Sequence, residues 1–324
     1  MRKMGGLRHY RTAATLISLS RRLFSLVLLL FTLSTLLFFL LRMTGDQALA
    51  LAGPDATAEQ VAVIRAQFGL DRPPGIQYLS HLGDLMRLDF GVSIITGRPA
   101  ITETVERLWA TVALAVAAMS VTVATAVPLG AWLGARPSSP ARRTLAGFIF
   151  LLQGIPGFVV ALLLVQLFAV QLKLLPFMGY GGLTTWILPT LTLASFLLPK
   201  LARVVATNVE AVLREDYIRT ARANGASFTE LYWRHALPNA LLGATALVGT
   251  QFAFLLSGSV ITETIFGWPG IGSLLIRSIQ TADFAVVQAV TIVIAIMVFT
   301  INAITDVSFP LLDPRLRENA RQQQ

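Results

Sequence analysis

From Leu23 to Leu41 the chain carries no charge, behind an N-terminal stretch that holds Arg2, Lys3, Arg8, Arg11, Arg21 and Arg22. At 1.5 Å per residue this uncharged run spans roughly 28 Å, close to the thickness of a bilayer's hydrocarbon core. Ala48-Leu49-Ala50 resembles a signal cleavage site. A secretory signal core is only about 7–15 residues long, however, so the run reads as a retained first span. Five more apolar stretches follow, at about Trp109–Ala135, Leu145–Val170, Trp186–Val205, Ala240–Ile261 and Phe284–Ile304. The pattern predicts an all-α polytopic membrane protein with six transmembrane helices and both termini on one side.

Composition agrees. The chain is 55% hydrophobic and 13% charged, against about 25% charged in soluble domains. Its formal charge of +9 sits at span ends rather than along one helix face, so membrane orientation explains it and no nucleic-acid partner is expected. The absence of cysteine excludes disulfides, thiolate zinc sites and iron–sulfur clusters. The three histidines, His9, His81 and His235, are scattered and make no metal cluster by spacing.

Short-loop charges fix the topology. Basic residues crowd the N-terminal stretch, the loop between the second and third spans, and the region between the fourth and fifth (Lys200, Arg203, Arg214, Arg219, Arg222, Arg234). The loops on the other face carry Lys173 and Arg277 alone, and the tail adds Arg315, Arg317 and Arg321. Both termini are therefore expected in the cytoplasm. The expected organisation is a cytoplasmic segment 1–22, a first helix 23–41, an extracytoplasmic region 42–108, a membrane core 109–310 with a cytoplasmic loop 206–238, and a tail 311–324. In the extracytoplasmic region Thr57–Phe68 reads as a short amphipathic helix, capped by Thr57 with Gln60 three residues on. This region is too poor in apolar residues to fold alone and is expected to pack on the membrane portion. His81 reads as an exposed surface histidine.

Several spans are punctuated. Gln153-Gly154-Ile155-Pro156-Gly157 is expected to break the third, Pro128 the second, and Pro189 and Pro199 the fourth. Such breaks are tolerated where backbone faces protein or a water-filled cavity.

Asp216–Pro238 is the one long polar interruption in the last two thirds of the chain. Arg214–Ala223 has helix-forming composition, and Gly225 supplies a stop with positive φ. Ser227 with Glu230 forms a capping box that opens a second short helix. Pro238 limits that helix or begins the next element. Phe228, Leu231, Tyr232 and His235 fall at i, i+3, i+4 and i+7, which places them on one face. An amphipathic knob on a basic loop suits a groove on another protein.

Some machinery is absent. None of the three lysines lies in a G-x-x-x-x-G-K-[ST] phosphate loop, and there is no G-x-S-x-G or H-E-x-x-H. Carriers coupled to ions place ionisable residues at mid-span. Here Glu263 and Asp306 are expected at span ends, while Gln153, Gln166, Gln251 and Asn302 are neutral. A stand-alone channel or ion-coupled carrier is thus the more distant alternative.

With these residues in view, Tyr217–Pro238 resembles the coupling motif of binding-protein-dependent ABC transporter permeases. Thr220-Ala221-Arg222, Gly225 and Leu237-Pro238 occupy the places of its helix, glycine and Leu-Pro, although the usual Glu-Ala-Ala triplet is degenerate. Phe68-Gly69-Leu70-Asp71-Arg72-Pro73 with Gln77-Tyr78, the run Glu263–Gly272 and Asp313–Arg317 are similar to further blocks of the peptide and nickel branch, first-permease-subunit type. The resemblance implies a type I importer permease in the bacterial inner membrane and not an enzyme. It implies a second, dissimilar permease subunit, two ATP-binding subunits that carry ATP and magnesium, an extracytoplasmic solute-binding protein, and no cofactor on this chain. It implies ATPase coupling through Thr220, Ala221, Gly225, Ser227, Phe228, Leu231, Tyr232, His235 and Pro238. Gln153, Gln251, Ser257, Thr262 and Glu263 are candidates for the translocation path. Leu88-Asp89-Phe90-Gly91 and Leu175–Gly182 look more like nickel or metal-chelate permeases, so nickel or a metal chelate delivered by the solute-binding protein is the expected cargo and di- or oligopeptides are the alternative.

Overall fold

The structure is a computed structural model that describes residues 4–43, 47–53, 55–67, 69–135 and 139–312. Phe68, the Asp313–Arg317 block and the tail 313–324 therefore lie outside the described residues. Among those described there is no strand, only one isolated bridge between Val92 and Pro99. The helices are α1 (Met4–Met43), α2 (Gln47–Ala52), α3 (Ala58–Gln67), α4 (Pro74–Met86), α5 (Ala100–Ala135), α6 (Pro140–Leu152) and α7 (Gly157–Leu164). They continue with α8 (Leu183–Leu213), α9 (Asp216–Ala223), α10 (Phe228–Glu230), α11 (Leu237–Gly258), α12 (Val260–Ile265), α13 (Ile271–Gln280) and α14 (Phe284–Leu312). Two π-helical stretches, Val165–Gln171 and Leu231–Ala236, follow α7 and α10.

Among the described residues five helices are long and apolar enough to cross a membrane, within α1, α5, α8, Phe228–Gly258 and α14, and the bent pair α6–α7 makes a sixth if counted as one span. The fifth span differs from expectation: it begins at Phe228 rather than near Ala240. Of its two expected roles Pro238 takes the second: it stands in the first turn of α11 and begins that element. Proline removes one N–H and crowds the carbonyl four residues back, and the wider π turn over Leu231–Ala236 absorbs that conflict. Asn239 Nδ2 donates to the His235 carbonyl at 2.8 Å.

Only one of the three expected breaks occurs. At Gln153–Pro156 the pair α6–α7 bends by 97°, whereas Pro128 stays inside α5 and Pro189 and Pro199 stay inside α8. In α8 the hydroxyl of Thr192 donates to the Leu188 carbonyl at 2.9 Å and that of Ser195 to the Thr192 carbonyl at 2.7 Å. Neither bond reaches the carbonyls of Thr185 and Ser195, which Pro189 and Pro199 leave without an N–H donor.

The chain divides into two compact units. The first comprises residues 1–106 and 274–299, and α4 is its organiser. Tyr78 and His81 hydrogen-bond Thr35 and Ser34 of α1 at 2.7 and 2.8 Å. Gln77 Oε1 accepts from Arg42 Nη2 at 2.6 Å, while its Nε2 donates to the Arg72 carbonyl at 2.7 Å. His81 Nε2 also lies 3.1 Å from Gln288 Nε2 of α14. Thus His81 is not a free surface side chain: it is half-buried and packs on the Phe38 ring, 5.1 Å between centroids. Burial and the charge of Arg42 push its pKa below the usual imidazole value, with Asp84 opposing. The Thr57–Gln60 capping box forms as expected, with reciprocal bonds of 2.8 and 3.3 Å. The helix it opens buries none of its residues.

The second unit comprises residues 107–273 and 300–324. Its core lies between α8 and α11, where Leu201, Ala202, Val205 and Val209 meet Ala240 and Ala244 together with Ala126, Ala131 and Tyr232. Gly130 and Gly134 of α5 allow the closest approach. A Cβ on Gly130 would stand 2.9 Å from the Val205 Cβ and nearer still to the Ala202 carbonyl, and Gly134 repeats this one turn on against Val209 and Ala206. Small residues spaced by four bring membrane helices into backbone contact.

Candidate functional site

The polar segment between α8 and α11 is built from two caps. At the end of α9 the Gly225 N–H donates to the Arg222 carbonyl at 3.1 Å and the Ala226 N–H to the Ala221 carbonyl at 3.1 Å. This is a Schellman motif, and it requires the left-handed backbone that Gly225 adopts at φ +90°. Ser227 then accepts from the Glu230 N–H at 3.2 Å and opens α10. Asn239 Nδ2 also donates to the Tyr217 hydroxyl at 3.2 Å, tying α9 to the start of α11.

The expected single docking face is divided. Leu231 is fully buried and Tyr232 is 8% exposed, with Tyr232 inserted in the α8–α11 core. His235 and Ala221 are half-buried, and Thr220, Gly225, Ser227 and Pro238 are exposed. Phe228 and Tyr232 do share a face, with their rings stacked at 6.0 Å, but Tyr232 spends it on the chain's own core rather than on a partner. What faces outward is Phe228, 40% exposed, and Trp233, 63% exposed, beside the exposed Arg234–Glu230 pair at 3.6 Å. Trp233 lies one residue off that face, so reading the apolar stripe alone passes over it.

The path candidates are not one cluster. Gln153 is half-buried at the α6–α7 bend. Gln251 is buried, and its Oε1 accepts from Lys200 Nζ of α8 at 2.9 Å. Lys200 corrects the expectation that no ionisable residue lies within a span, since α8 carries it inside a membrane-length helix. Thr262 lines a cavity of about 160 Å3 with Phe158, Thr192, Phe196, Phe254 and Ile261. Ser257 is exposed and spends its hydroxyl on the Phe254 carbonyl at 3.1 Å.

Glu263 is 0% exposed, neither a span-end charge in water nor an outer contact. Its Oε1 accepts from Thr111 and Ser259, both at 2.8 Å, and its Oε2 from the Ser273 N–H at 3.0 Å. The carboxylate thus sits on the first turn of α13, where a helix favours negative charge. Trp268 closes the knot: its Nε1 donates to the Ala110 carbonyl at 2.9 Å, and its ring meets Trp186 at 4.6 Å and Tyr180 at 4.9 Å. Gly270 is required because a Cβ there would overlap the Glu263 carboxylate and the Thr111 hydroxyl.

Comparison with known proteins places this geometry. Residues 126–318 match the family described as binding-protein-dependent transport system inner membrane component. Residues 16–115 match its N-terminal membrane component. The probable peptide ABC transporter permease protein y4tP of Sinorhizobium fredii is 36% identical over 306 residues, covering 92% of this chain and 98% of that protein. The glutathione transport system permease protein GsiC of Escherichia coli is 35% identical over 303 residues, covering 92% and 97%. In fold the chain is similar to the MetNI methionine ABC transporter in inward-facing conformations, with a TM-score of 0.55, 17% identity, and 65% of this chain and 96% of that one covered. A similar likeness holds to an amino acid ABC transporter solved with histidines, with a TM-score of 0.50, 19% identity and 66% and 94% covered. The chain is therefore a multi-pass inner-membrane protein that belongs to the binding-protein-dependent transport system inner membrane component family, the permease subunits of ABC importers.

Proposed function

We propose that this permease serves an importer of small peptides, with glutathione-like tripeptides within its range. The observation that carries the reading is the near end-to-end match to relatives named for peptide and for glutathione transport. The two loop blocks that favour nickel have structural work instead. Met178 packs on Gly267, where a Cβ would meet its methyl at 3.2 Å, and Tyr180 stacks edge-on against Trp268. Leu88 and Gly91 have positive φ, and the Gly91 N–H donates to Asp89 Oδ1 at 2.9 Å, so Leu88–Gly91 is a turn with Phe90 buried inside it. Such blocks report packing rather than cargo.

In this reading a second permease subunit completes the membrane pathway, two ATP-binding subunits dock on the cytoplasmic side, and a solute-binding protein delivers the peptide. Phe228 and Trp233 form the face that an ATPase grips. Because α10, the π turn and α11 form one 31-residue rod, about 46 Å long, movement at Trp233 is carried along the helix that holds Gln251. The test is uptake by a strain lacking the transporter, with labelled tripeptide and nickel measured side by side. Loss of tripeptide uptake with normal nickel supports the reading, whereas the reverse result restores the metal.

A further inference from the structure

Lys200 is exposed on α8, a helix of membrane-spanning length. An ammonium does not face lipid hydrocarbon; charged groups in spans face protein or a watery path. One of its three donors goes to Gln251 Oε1. Gln251 itself is buried, and its Nε2 has no partner. An amide held in this way, oxygen toward the lysine and nitrogen unsatisfied, calls for a reason. Orienting the ammonium is one.

The neighbours on the same face define what the ammonium meets. Thr192, Phe196 and Lys200 recur every four residues along α8, and Gln251, Phe254 and Gly258 follow the matching stripe of α11. Phe196 and Phe254 stack at 5.6 Å and are 39% and 49% exposed. Beyond them lies the 160 Å3 cavity with Thr192 and Thr262 on its wall. Arg203, less than a full turn further along α8, is turned elsewhere, with its guanidinium 4.1 Å above the Phe150 ring of α6. The face therefore offers one cation, then an aromatic pair, then a small, mainly apolar hollow with two threonines on its wall.

We propose that Lys200, oriented by Gln251, is the station on this subunit's translocation face that receives the carboxylate of a passing peptide, while Phe196 and Phe254 receive its apolar side chain. The assignment rests on the peptide reading above. A single charge-assisted contact suits transit, which requires release as well as entry.

The test uses the whole importer in liposomes with its loaded binding protein, and compares uptake of a tripeptide with that of its C-terminal amide. Taking the ratio of the two cancels differences in the amount of assembled complex. Lys200→Met should lower the free-acid to amide ratio about tenfold relative to wild type, Lys200→Gln should do the same, and Lys200→Arg should keep the wild-type ratio. An unchanged ratio in Lys200→Met and Lys200→Gln would overturn the assignment and leave the lysine a side chain that merely reaches for the membrane surface. If the wild-type importer moves neither peptide, the peptide reading fails and this station falls with it.

Discussion

The carboxylate of Glu263 and the hydroxyl of Thr111 meet at 2.8 Å across 152 residues of chain. The same hydroxyl accepts from the Ile271 N–H at 2.9 Å, so one threonine of α5 joins the carboxylate to the first residue of α13. A buried charge is tolerated only when its lone pairs are filled, and here two hydroxyls and one backbone N–H fill them.

Glu263→Ala should therefore be costly, because it leaves the Ser273 N–H and the Thr111 and Ser259 hydroxyls without their acceptor. Each orphaned group costs about 1–3 kcal/mol. Glu263→Gln, which keeps an oxygen and the volume, should lose less, and Gly270→Ala should fail through overlap. Melting of the detergent-solubilised chain, followed by size exclusion, measures this. A Glu263→Ala midpoint equal to wild type would mean that the knot does not hold α13.

Much of this architecture is legible in the sequence. Runs of apolar residues locate the spans, and the Thr57 capping box, the Ser227 N-cap and the Gly225 stop form where the residues place them, although Glu230 does not return the bond to Ser227 and turns to Arg234 instead. Three things are not legible, each for a physical reason. Proline alone does not say whether a helix breaks: Pro128, Pro189 and Pro199 all stay inside their helices. The stripe Phe228, Leu231, Tyr232 is readable, but not that Leu231 and Tyr232 bury against the chain itself while Trp233, off the stripe, faces outward. The Gly130-x-x-x-Gly134 spacing is a readable sign of close approach, yet only the fold shows that Ala202 and Ala206 answer it. Lys200 lies inside the expected fourth span as well as in the cytoplasmic charge count, and only the fold, with α8 running on to Leu213 and Gln251 beside the ammonium, shows it to be a helix residue with a partner.

His81 makes the first unit sensitive to acid. Its folded pKa lies below the ordinary 6.5, through burial first and the nearby Arg42 charge second, with Asp84 opposing in part. The unfolded chain therefore takes up this proton at a higher pH than the folded one. Stability contributed here is fully present above 6.5. It is lost as pH falls through the folded value, and below that it stays flat. His81→Gln, which carries no titrating ring between Ser34 and Gln288, should flatten that part of the profile. Melting points taken from about pH 8 down to about pH 5 check it; identical slopes in wild type and variant would show that another group sets the acid response.

The divided coupling segment predicts a division of phenotypes. Tyr232 is buried among Ala131, Val205 and Ala240, so Tyr232→Asp places a charge in the core, where desolvation costs several kcal/mol. It should lower the melting point of the chain itself. Trp233 is 63% exposed and Phe228 40% exposed, so Trp233→Ala and Phe228→Asp should leave that melting point near wild type, since surface substitutions usually fall within about 0.5 kcal/mol. Their effect should appear only in the assembled importer, as a loss of about tenfold or more in ATP-dependent uptake and weaker co-purification of the ATPase, because exposed aromatics are the usual anchors of an interface. Melting of each variant alone, paired with pull-down of the ATP-binding subunits, separates the two outcomes. If Trp233→Ala retained full uptake and ATPase binding, the gripping face would have to lie elsewhere on the segment, with Arg222 of α9 next in line.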